Sequence, residues 1–247
     1  MRKSGDLDRI CTIRIELMHS EPLIWREVEA PVSITLDDLH RIIQIVMGWE
    51  EEHLWEFTIA KKHYAPPDEF TSPFEPVSDS GEVRLSHILR PRRTTFQYLY
   101  DFGDSWLHHV IATKTRAPEA AVAYPRYIAG ERNSPLEDIG GLYGFYAGLA
   151  AIAANDDHDE EIDEPDDLHG WARSFDPDYV DAEGIEDRLR LMAEDLRTQK
   201  RPRKKKAKTG PAFGDDAELG ATVRLMLNAL KLGAATRPRK PRAGNKK

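Results

Sequence analysis

The thirteen residues Tyr98–Val110, YLYDFGDSWLHHV, decide the fold because they join two strand-like runs by a short polar turn. The runs TTFQYLYD (94–101) and WLHHVIATKT (106–115) are rich in aromatic and β-branched residues. Only the four residues 102–105 separate them. A connection of that length predicts an antiparallel β-hairpin.

The second run of this hairpin carries two adjacent histidines. Side chains alternate between the two faces of a strand, so Trp106, His108 and Val110 share one face. Leu107, His109 and Ile111 share the other. The two histidines therefore cannot face the same pocket, and we expect one to be buried and the other to be exposed.

Three further strands and one helix are predicted upstream of the hairpin. The segments ICTIRIELM (10–18), LIWREVEA (23–30) and HLWEFTIA (53–60) read as strands. In ITLDDLHRIIQIVMGW (34–49) the apolar residues recur at helical spacing. Thr35 with Asp38 resembles a capping box, and Gly48 is a suitable C-terminal cap. The tryptophans of these segments and of the hairpin are expected in the core, with His40 as a packing histidine: Trp25, Trp49, Trp55 and Trp106.

The remainder of the body is predicted to be mostly helical or irregular. Residues 84–90 are short helical or irregular, 116–139 irregular, 140–154 helical, 155–167 an acidic solvated segment and 181–197 helical. Strands are clustered instead of alternating regularly with helices. This order predicts one α+β domain over residues 1–197, with a mainly antiparallel twisted sheet and helices packed on it.

Charge separates the C-terminal residues from this body. Residues 197–247 hold 16 Lys and Arg against 3 Asp and Glu, a net charge of +13, whereas the preceding residues carry −21. We expect residues 198–247, the basic arm, to be disordered except for a short amphipathic helix at about 217–231. Phosphate contacts are predicted for its cluster of basic residues. These are Lys200, Arg201, Arg203, Lys204, Lys205, Lys206 and Lys208.

Several classes of protein are excluded by composition. Cys11 is the only cysteine, so neither an intrachain disulfide nor a cysteine-rich zinc module can form. No run of 18 apolar residues is present, and the charged start lacks an apolar signal segment. We therefore expect a cytoplasmic protein that does not enter the membrane. The sequence gives no pattern for a cofactor or a metal ion, and none is predicted.

The hairpin turn has a structural and a functional interpretation. Gly103 can adopt the positive φ of a tight turn, and the side chain of Asp104 can bind the turn backbone. Alternatively, Asp101 or Asp104 could pair with His108 for acid–base chemistry or for a hard metal ion. His87, His53 and Glu131 are the nearest further partners, although no spacing ties them to the turn. DFG also occurs in kinases, but the phosphate loop and the catalytic-loop pattern are missing.

A second candidate region is AGERNSPLEDIGG (129–141), an irregular segment rich in charge. Its glycines open the next helix, where free N–H groups could hold an anion; alternatively, Arg132 pairs with a local carboxylate and the glycines allow close packing. Together with the hairpin, this loop predicts a binding groove. Its candidate residues are Tyr100, Trp106, His109, Glu131, Arg132, Asp138, Gly140 and Gly141.

Four motifs in order resemble the plasmid pRiA4b ORF-3-like family, whose members are often labelled insertion-element passenger or TnpR-type proteins. They are PLIWREVEAPVSITLDDLHRIIQIVMGWEEEHLWEF, YLYDFGDSWLHHV, YPRYIAGERNSPLEDIGGLYGF and SFDPDYVDAEGIEDRL. The resemblance spans roughly residues 10–196 and leaves out the basic arm. It implies a compact α+β fold, in proteins encoded both on chromosomes and on mobile elements. The resemblance implies no assigned activity.

The chain departs from the family pattern at three positions. The pattern has a histidine where this chain has Trp55, and cysteines where it has Tyr127 and Ser134. A zinc site with soft ligands is therefore not expected. The resolvase-type label is not adopted either, because Ser4 and Ser20 lack the arginine setting of a serine recombinase and the body is acidic.

Two functions follow as hypotheses. The first is a non-enzymatic binding module associated with mobile elements, whose basic arm contacts nucleic acid. The alternative is a metal-assisted hydrolase that uses Asp101, Asp104 and His108. A protein partner could also bind the helix at 217–231.

Overall fold

The computed structural model describes residues 9–67, 77–155 and 170–198. The chain divides into two units, residues 1–205 and 206–247, and every described residue belongs to the first. The basic arm after Thr198, with its predicted helix at 217–231, lies outside the described residues. The acidic segment 156–169 lies outside them as well.

Eight strands form a single sheet in the first unit. Their order in space is β5-β4-β3-β6-β7-β1-β2-β8. All neighbours are antiparallel except β4 and β5, which are parallel. The strands are β1 (Ile10–Leu17), β2 (Trp25–Pro31), β3 (Trp55–Ile59), β4 (Lys62–Ala65), β5 (Val77–Asp79), β6 (Thr94–Tyr100), β7 (Trp106–Arg116) and β8 (Arg126–Glu131).

The helices are α1 (Leu36–Met47), α2 (Leu85–Ile88), α3 (Gly141–Asn155) and α4 (Ala182–Thr198), with 3₁₀ turns at Ser80–Glu82 and Gly170–Ser174. The predicted capping box of α1 is confirmed. Asp38 N donates to Thr35 Oγ1 over 3.1 Å, and Thr35 N donates to Asp38 Oδ2 over 2.9 Å. Gly48 ends the helix with φ of 77°. Among the described residues, no helix is long and apolar enough to cross a membrane.

The core lies between one face of the sheet and the apolar stripe of α1. Ile13, Ile15 and Phe57 on the sheet, with Leu39 and Ile42 on the helix, have no exposed surface. His40 also belongs to this contact, since its ring stacks on that of Trp55 with centroids 4.1 Å apart. The predicted α+β class, with a mainly antiparallel sheet and packed helices, is confirmed.

Three strands differ from the sequence-based prediction. β8 lies inside the segment 116–139, which was predicted to be irregular, while β4 and β5 were not predicted. β8 does not show a buried and exposed alternation, because all of its residues are half-buried or exposed. It forms by pairing with β2 at the edge of the sheet. Pairing with β2 therefore stabilises a strand that the local sequence pattern did not predict.

Trp25 also departs from its predicted place in the core. It is half-buried, and the guanidinium of Arg14 lies 3.7 Å above its ring. Trp49, Trp55 and Trp106 are buried as predicted. The difference arises because Trp25 shares its face of β2 with Glu27, opposite the apolar residues of that strand.

Candidate functional site

The hairpin turn between β6 and β7 is organised by Asp101. Its Oδ1 accepts a hydrogen bond from Gly103 N over 2.8 Å, and its carbonyl accepts one from Ser105 N over 2.7 Å. The positive φ angles fall on Asp101 (53°) and Ser105 (57°), so the prediction of a positive φ at Gly103 is wrong. Aspartate tolerates this conformation because its short side chain can bind the nearby backbone.

Asp104 turns away from the hairpin toward the start of α3. Its Oδ2 accepts a hydrogen bond from Gly140 N over 3.2 Å. The next residue, Gly141, has φ of 67°, and an added Cβ would overlap the carbonyl oxygen of Asp104. The anion at this helix start is therefore the chain's own Asp104 carboxylate. The sequence predicted that the Asp104 side chain binds the backbone of its own turn, but in the structure it accepts from Gly140 N.

Three loops meet at this end of the hairpin, and we call residues 50–54, 101–105 and 137–141 the three-loop junction. His53 lies between two carboxylates there. Its Nδ1 is 3.9 Å from Asp101 Oδ2, and its Nε2 is 3.3 Å from Asp138 Oδ1. One ligand atom from each of the three residues lies within 4.8 Å of the others. No other such group of three or more His, Cys, Asp or Glu residues occurs in the described ranges.

The Nε2 atom of His53 is buried and forms no hydrogen bond. Asp138 Oδ1 is close enough for an ion pair with this nitrogen but does not form a hydrogen bond with it. A buried polar atom without a hydrogen bond is costly, on the order of 1–3 kcal/mol. Asp138, like Asp101, has a positive φ, at 59°. Backbone strain of this kind is enriched at functional sites.

A second layer of hydrogen bonds surrounds the histidine. The hydroxyl of Tyr100 donates to Glu137 Oε1, and Glu137 Oε2 accepts from Glu50 N over 2.8 Å. His53 N donates to the Tyr100 hydroxyl oxygen over 3.4 Å. Burial and the adjacent Glu137 carboxylate raise the pKa of Tyr100 well above its usual value, so it remains a proton donor.

His108 lies in the core, and His109 lies on the opposite face of β7, so the predicted division of the two histidines is confirmed. His108 Nδ1 is 2.9 Å from the carbonyl of Trp106, and this contact makes Nδ1 the protonated nitrogen. Burial lowers the pKa of His108 to about 3, so the ring is neutral. Within the described residues, no hydrogen bond or ion pair joins His108 to Asp101 or Asp104. The histidine at the junction is His53.

The other predicted residues have mainly structural contacts. Trp106 is buried, and His109 Nδ1 is 3.6 Å from Glu16 Oε2. Glu131 Oε2 accepts from Trp25 Nε1 over 3.0 Å, and Arg132 pairs with Asp178. His87 Nδ1 accepts from Arg84 N at the start of α2. None of these contacts reaches the three-loop junction.

A pocket of about 280 Å³ opens beside the junction, with His53 in its wall. Burial raises the pKa of Glu51 in this pocket, while Arg41 acts in the opposite direction. Burial, with a smaller contribution from Arg41, lowers the pKa of His40 to about 3. His40 therefore offers a neutral ring to this pocket, whose wall also contains Glu51 and Arg41.

The eight-stranded, mainly antiparallel sheet with its packed helices defines an α+β protein. Its three-loop junction holds a histidine and two aspartates beside the hairpin turn. The sequence matches the model of the plasmid pRiA4b ORF-3-like protein over residues 9–184. The chain belongs to this family.

Two similar proteins extend the comparison. The uncharacterized protein y4hQ of Sinorhizobium fredii (strain NBRC 101917 / NGR234) is 31% identical over 175 residues, covering 70% of this chain and 86% of that protein. The crystal structure of the protein of unknown function MM3350 from Methanosarcina mazei Go1 has a TM-score of 0.63 and 28% identity. That match covers 73% of this chain and 98% of the other. Neither name assigns a function.

Sequence reasoning had named all three residues of the cluster without joining them. Asp101 stood in the hairpin, Asp138 in the charged loop, and His53 among the histidines without a defined place. Each is in one of the motifs that carry the family resemblance. That shared membership was the signal available, but the separation along the chain hid the contact.

Proposed function

We propose that the protein is a binding module that holds a divalent cation at the three-loop junction. The observation that carries this proposal is the convergence of His53, Asp101 and Asp138, whose ligand atoms lie within 4.8 Å of one another. A cation at this position would neutralise two carboxylates. It would also give His53 Nε2, which forms no hydrogen bond, a metal ion to coordinate.

The donor set favours cations of hard to borderline character. Two carboxylate oxygens and one imidazole nitrogen suit Mn²⁺, Fe²⁺ or Zn²⁺, and no thiolate is present at the junction. The family cysteine position at Ser134 serves the fold in this chain, since Ser134 Oγ accepts a hydrogen bond from Arg26. Three protein ligands leave coordination positions for water or for a molecule in the adjacent pocket.

Binding is favoured over the alternative hydrolase that uses Asp101, Asp104 and His108. In that alternative, a histidine and two carboxylates would act together. However, His108 is fully buried and neutral, and Asp104 is engaged by the start of α3. Bound at the junction, a cation would act as a Lewis acid. His108 could not serve as the general base beside that cation, because no described contact links it to the junction.

We expect titration with Mn²⁺, followed by the electron paramagnetic resonance signal of the free ion, to show one saturable site in the full chain. Asp138→Asn and His53→Ala should each weaken it by more than about tenfold, because even partners outside the coordination shell contribute about 10- to 100-fold. Asp138 has 72% of its side chain exposed, so its substitution should leave the fold intact.

The matched control is His109→Ala, which removes a half-exposed histidine beside the Glu16 carboxylate, on β7 and outside the junction. Its affinity for Mn²⁺ should equal that of the unsubstituted chain. Absence of saturable binding in the unsubstituted chain would refute the proposal. Equal weakening by His109→Ala and His53→Ala would refute the assignment of the site.

A second function, nucleic-acid binding by the basic arm, is supported by charge. Residues 197–247 carry +13, whereas the remainder of the chain carries −21. Such an arm would attract a phosphate backbone without reading its sequence, and the acidic body would repel it. The family name, which refers to a plasmid reading frame, suits a protein of mobile elements. A protein partner for residues 217–231 stays a prediction from the sequence.

Deletion of residues 198–247 is expected to abolish binding to a DNA duplex in a fluorescence anisotropy titration. With six or more phosphate contacts, the affinity of the full chain should fall by roughly 10³-fold between 50 and 200 mM salt. A second variant, with glutamine at all seven basic positions from Lys200 to Lys208, keeps the length of the arm and should also bind the duplex more weakly. Unchanged duplex affinity in the deletion variant would end this idea without affecting the cation site.

A further inference from the structure

We propose that Tyr100 and Glu137 are the positioning residues of the three-loop junction. They hold the ligands His53, Asp101 and Asp138 in place, and so set the affinity for the cation, without contacting the cation themselves. This inference rests on the proposed cation site and names the device that holds its three ligands together. The two residues share one hydrogen bond, from the Tyr100 hydroxyl to the Glu137 carboxylate. Each immediately precedes a proposed ligand in the chain, Asp101 and Asp138 respectively.

The same pair also holds the loop that carries the third ligand. Glu137 Oε2 accepts from Glu50 N over 2.8 Å, and the Tyr100 hydroxyl oxygen accepts from His53 N over 3.4 Å. One tyrosine and one carboxylate therefore connect all three loops of the junction. Two further hydrogen bonds join these loops, from Asp101 N to the carbonyl of Leu54 and from Gly140 N to Asp104 Oδ2, but neither holds the side chain of a proposed ligand.

The ring of Tyr100 is held independently of its hydroxyl. It is fully buried and stacks on Trp49 with centroids 5.1 Å apart. It also packs at a steep angle against the His53 ring, with centroids 5.7 Å apart. Trp49 is itself anchored, since its Nε1 donates to the carbonyl of Pro135 over 2.9 Å. A phenylalanine at position 100 would keep these ring contacts. Tyr100→Phe thus isolates the hydroxyl.

Glu137 is placed to orient the loops and not to bind the ion. Each of its two carboxylate oxygens already accepts one hydrogen bond, from Tyr100 and from Glu50. Asp138, the next residue, is the carboxylate that lies beside His53. Neighbouring carboxylates on one loop thus have different tasks. Partners outside the coordination shell that fix ligands in this way are worth about 10- to 100-fold in metal affinity.

The test is a Mn²⁺ titration of the full chain with Tyr100→Phe, Glu137→Ala and the double substitution, at a temperature where near-ultraviolet circular dichroism shows each variant to be folded. We expect each single substitution to weaken Mn²⁺ binding about tenfold. The double variant should bind more weakly than either single variant, but by less than the product of the two single effects. The two substitutions share one hydrogen bond, and each also removes one other, from Glu50 N or from His53 N.

The control is Tyr124→Phe, which removes the hydroxyl of another buried tyrosine. That hydroxyl accepts from Arg116 Nη2 and Glu119 N, each over 3.3 Å, and these partners lie outside the junction. Tyr124→Phe should lower stability but leave Mn²⁺ affinity unchanged, which separates positioning from general loosening.

The outcomes distinguish the two proposals. If the unsubstituted chain binds Mn²⁺ and Tyr100→Phe binds it equally well, the positioning role is overturned and the cation site stands. Equal weakening by Tyr124→Phe would also overturn it. If the unsubstituted chain does not bind Mn²⁺, the cation site and its positioning residues fall together.

Discussion

Replacing Arg26 with methionine is expected to lower the free energy of unfolding by at least about 3 kcal/mol, because several buried oxygens lose their donor and each buried polar group left without a hydrogen bond costs about 1–3 kcal/mol. Arg26 is only 2% exposed, although it is an arginine in a strand. Burial lowers its pKa. Its guanidinium nevertheless has five hydrogen bonds.

These bonds join the end of α1 to the segment after β8. Arg26 Nε donates to the carbonyl of Val46 over 3.0 Å, and Nη2 donates to Ser134 Oγ over 3.0 Å. Nη1 donates to three carbonyls, those of Trp25, Glu131 and Arg132. A cation at a helix C-terminus is also favoured by the helix dipole. Methionine would fill the space but leave these oxygens without donors.

Urea unfolding followed by tryptophan fluorescence measures this effect. Arg26→Lys should recover only a small part of the loss, because one ammonium group cannot reproduce the forked geometry of the guanidinium. Arg190→Met is the control, since Arg190 is 62% exposed and pairs only with Asp187 among the described contacts. Its cost should be within about 0.5 kcal/mol. Equal costs at the two positions would show that the Arg26 network is not stabilising.

Gly141→Ala is expected to lower the free energy of unfolding by more than about 2 kcal/mol. Alanine at the positive φ of 67° costs roughly 1–2 kcal/mol by itself. The added Cβ would also overlap the backbone carbonyl of Asp104, which cannot move without displacing the hairpin turn. The substitution should therefore also separate the hairpin from the loop that carries Asp138.

Gly48→Ala provides the matched control for backbone strain. Gly48 has a similar φ of 77°, but an added Cβ would meet nothing within 4 Å. The difference between the two variants in urea unfolding isolates the steric overlap. If Gly141→Ala costs no more than Gly48→Ala, the close contact between the hairpin and the start of α3 does not stabilise the protein.

The burial of Arg26 could be inferred from the strand alternation, but its hydrogen-bond partners could not. In β2, Arg26 occupies the phase of Ile24, Val28 and Ala30, all of which are buried. A charge in an apolar phase marks a buried ionic residue, and that signal was present in the sequence. Its partners were not predictable, because Val46 and Ser134 are 20 and 108 residues away.

Strong local periodicity determined most of the secondary structure. The helical spacing and capping box of α1 and the alternation of β1 and β7 were sufficient, because local contacts and one buried face define these elements. β8 and Trp25 were misjudged for the opposite reason. The edge strand has no fully buried face, and Trp25 lies on the side of β2 that α1 does not cover.

The sequence by itself determined the family, the α+β class, the hairpin and the division of His108 from His109, since these depend on order along the chain and on the alternation of a strand. Only the tertiary structure decided which histidine meets the carboxylates. His53, Asp101 and Asp138 come from three separate loops, and their approach depends on the packing of α1, the hairpin and α3. Distances between loops are set by long-range packing, which leaves no periodic trace in the sequence.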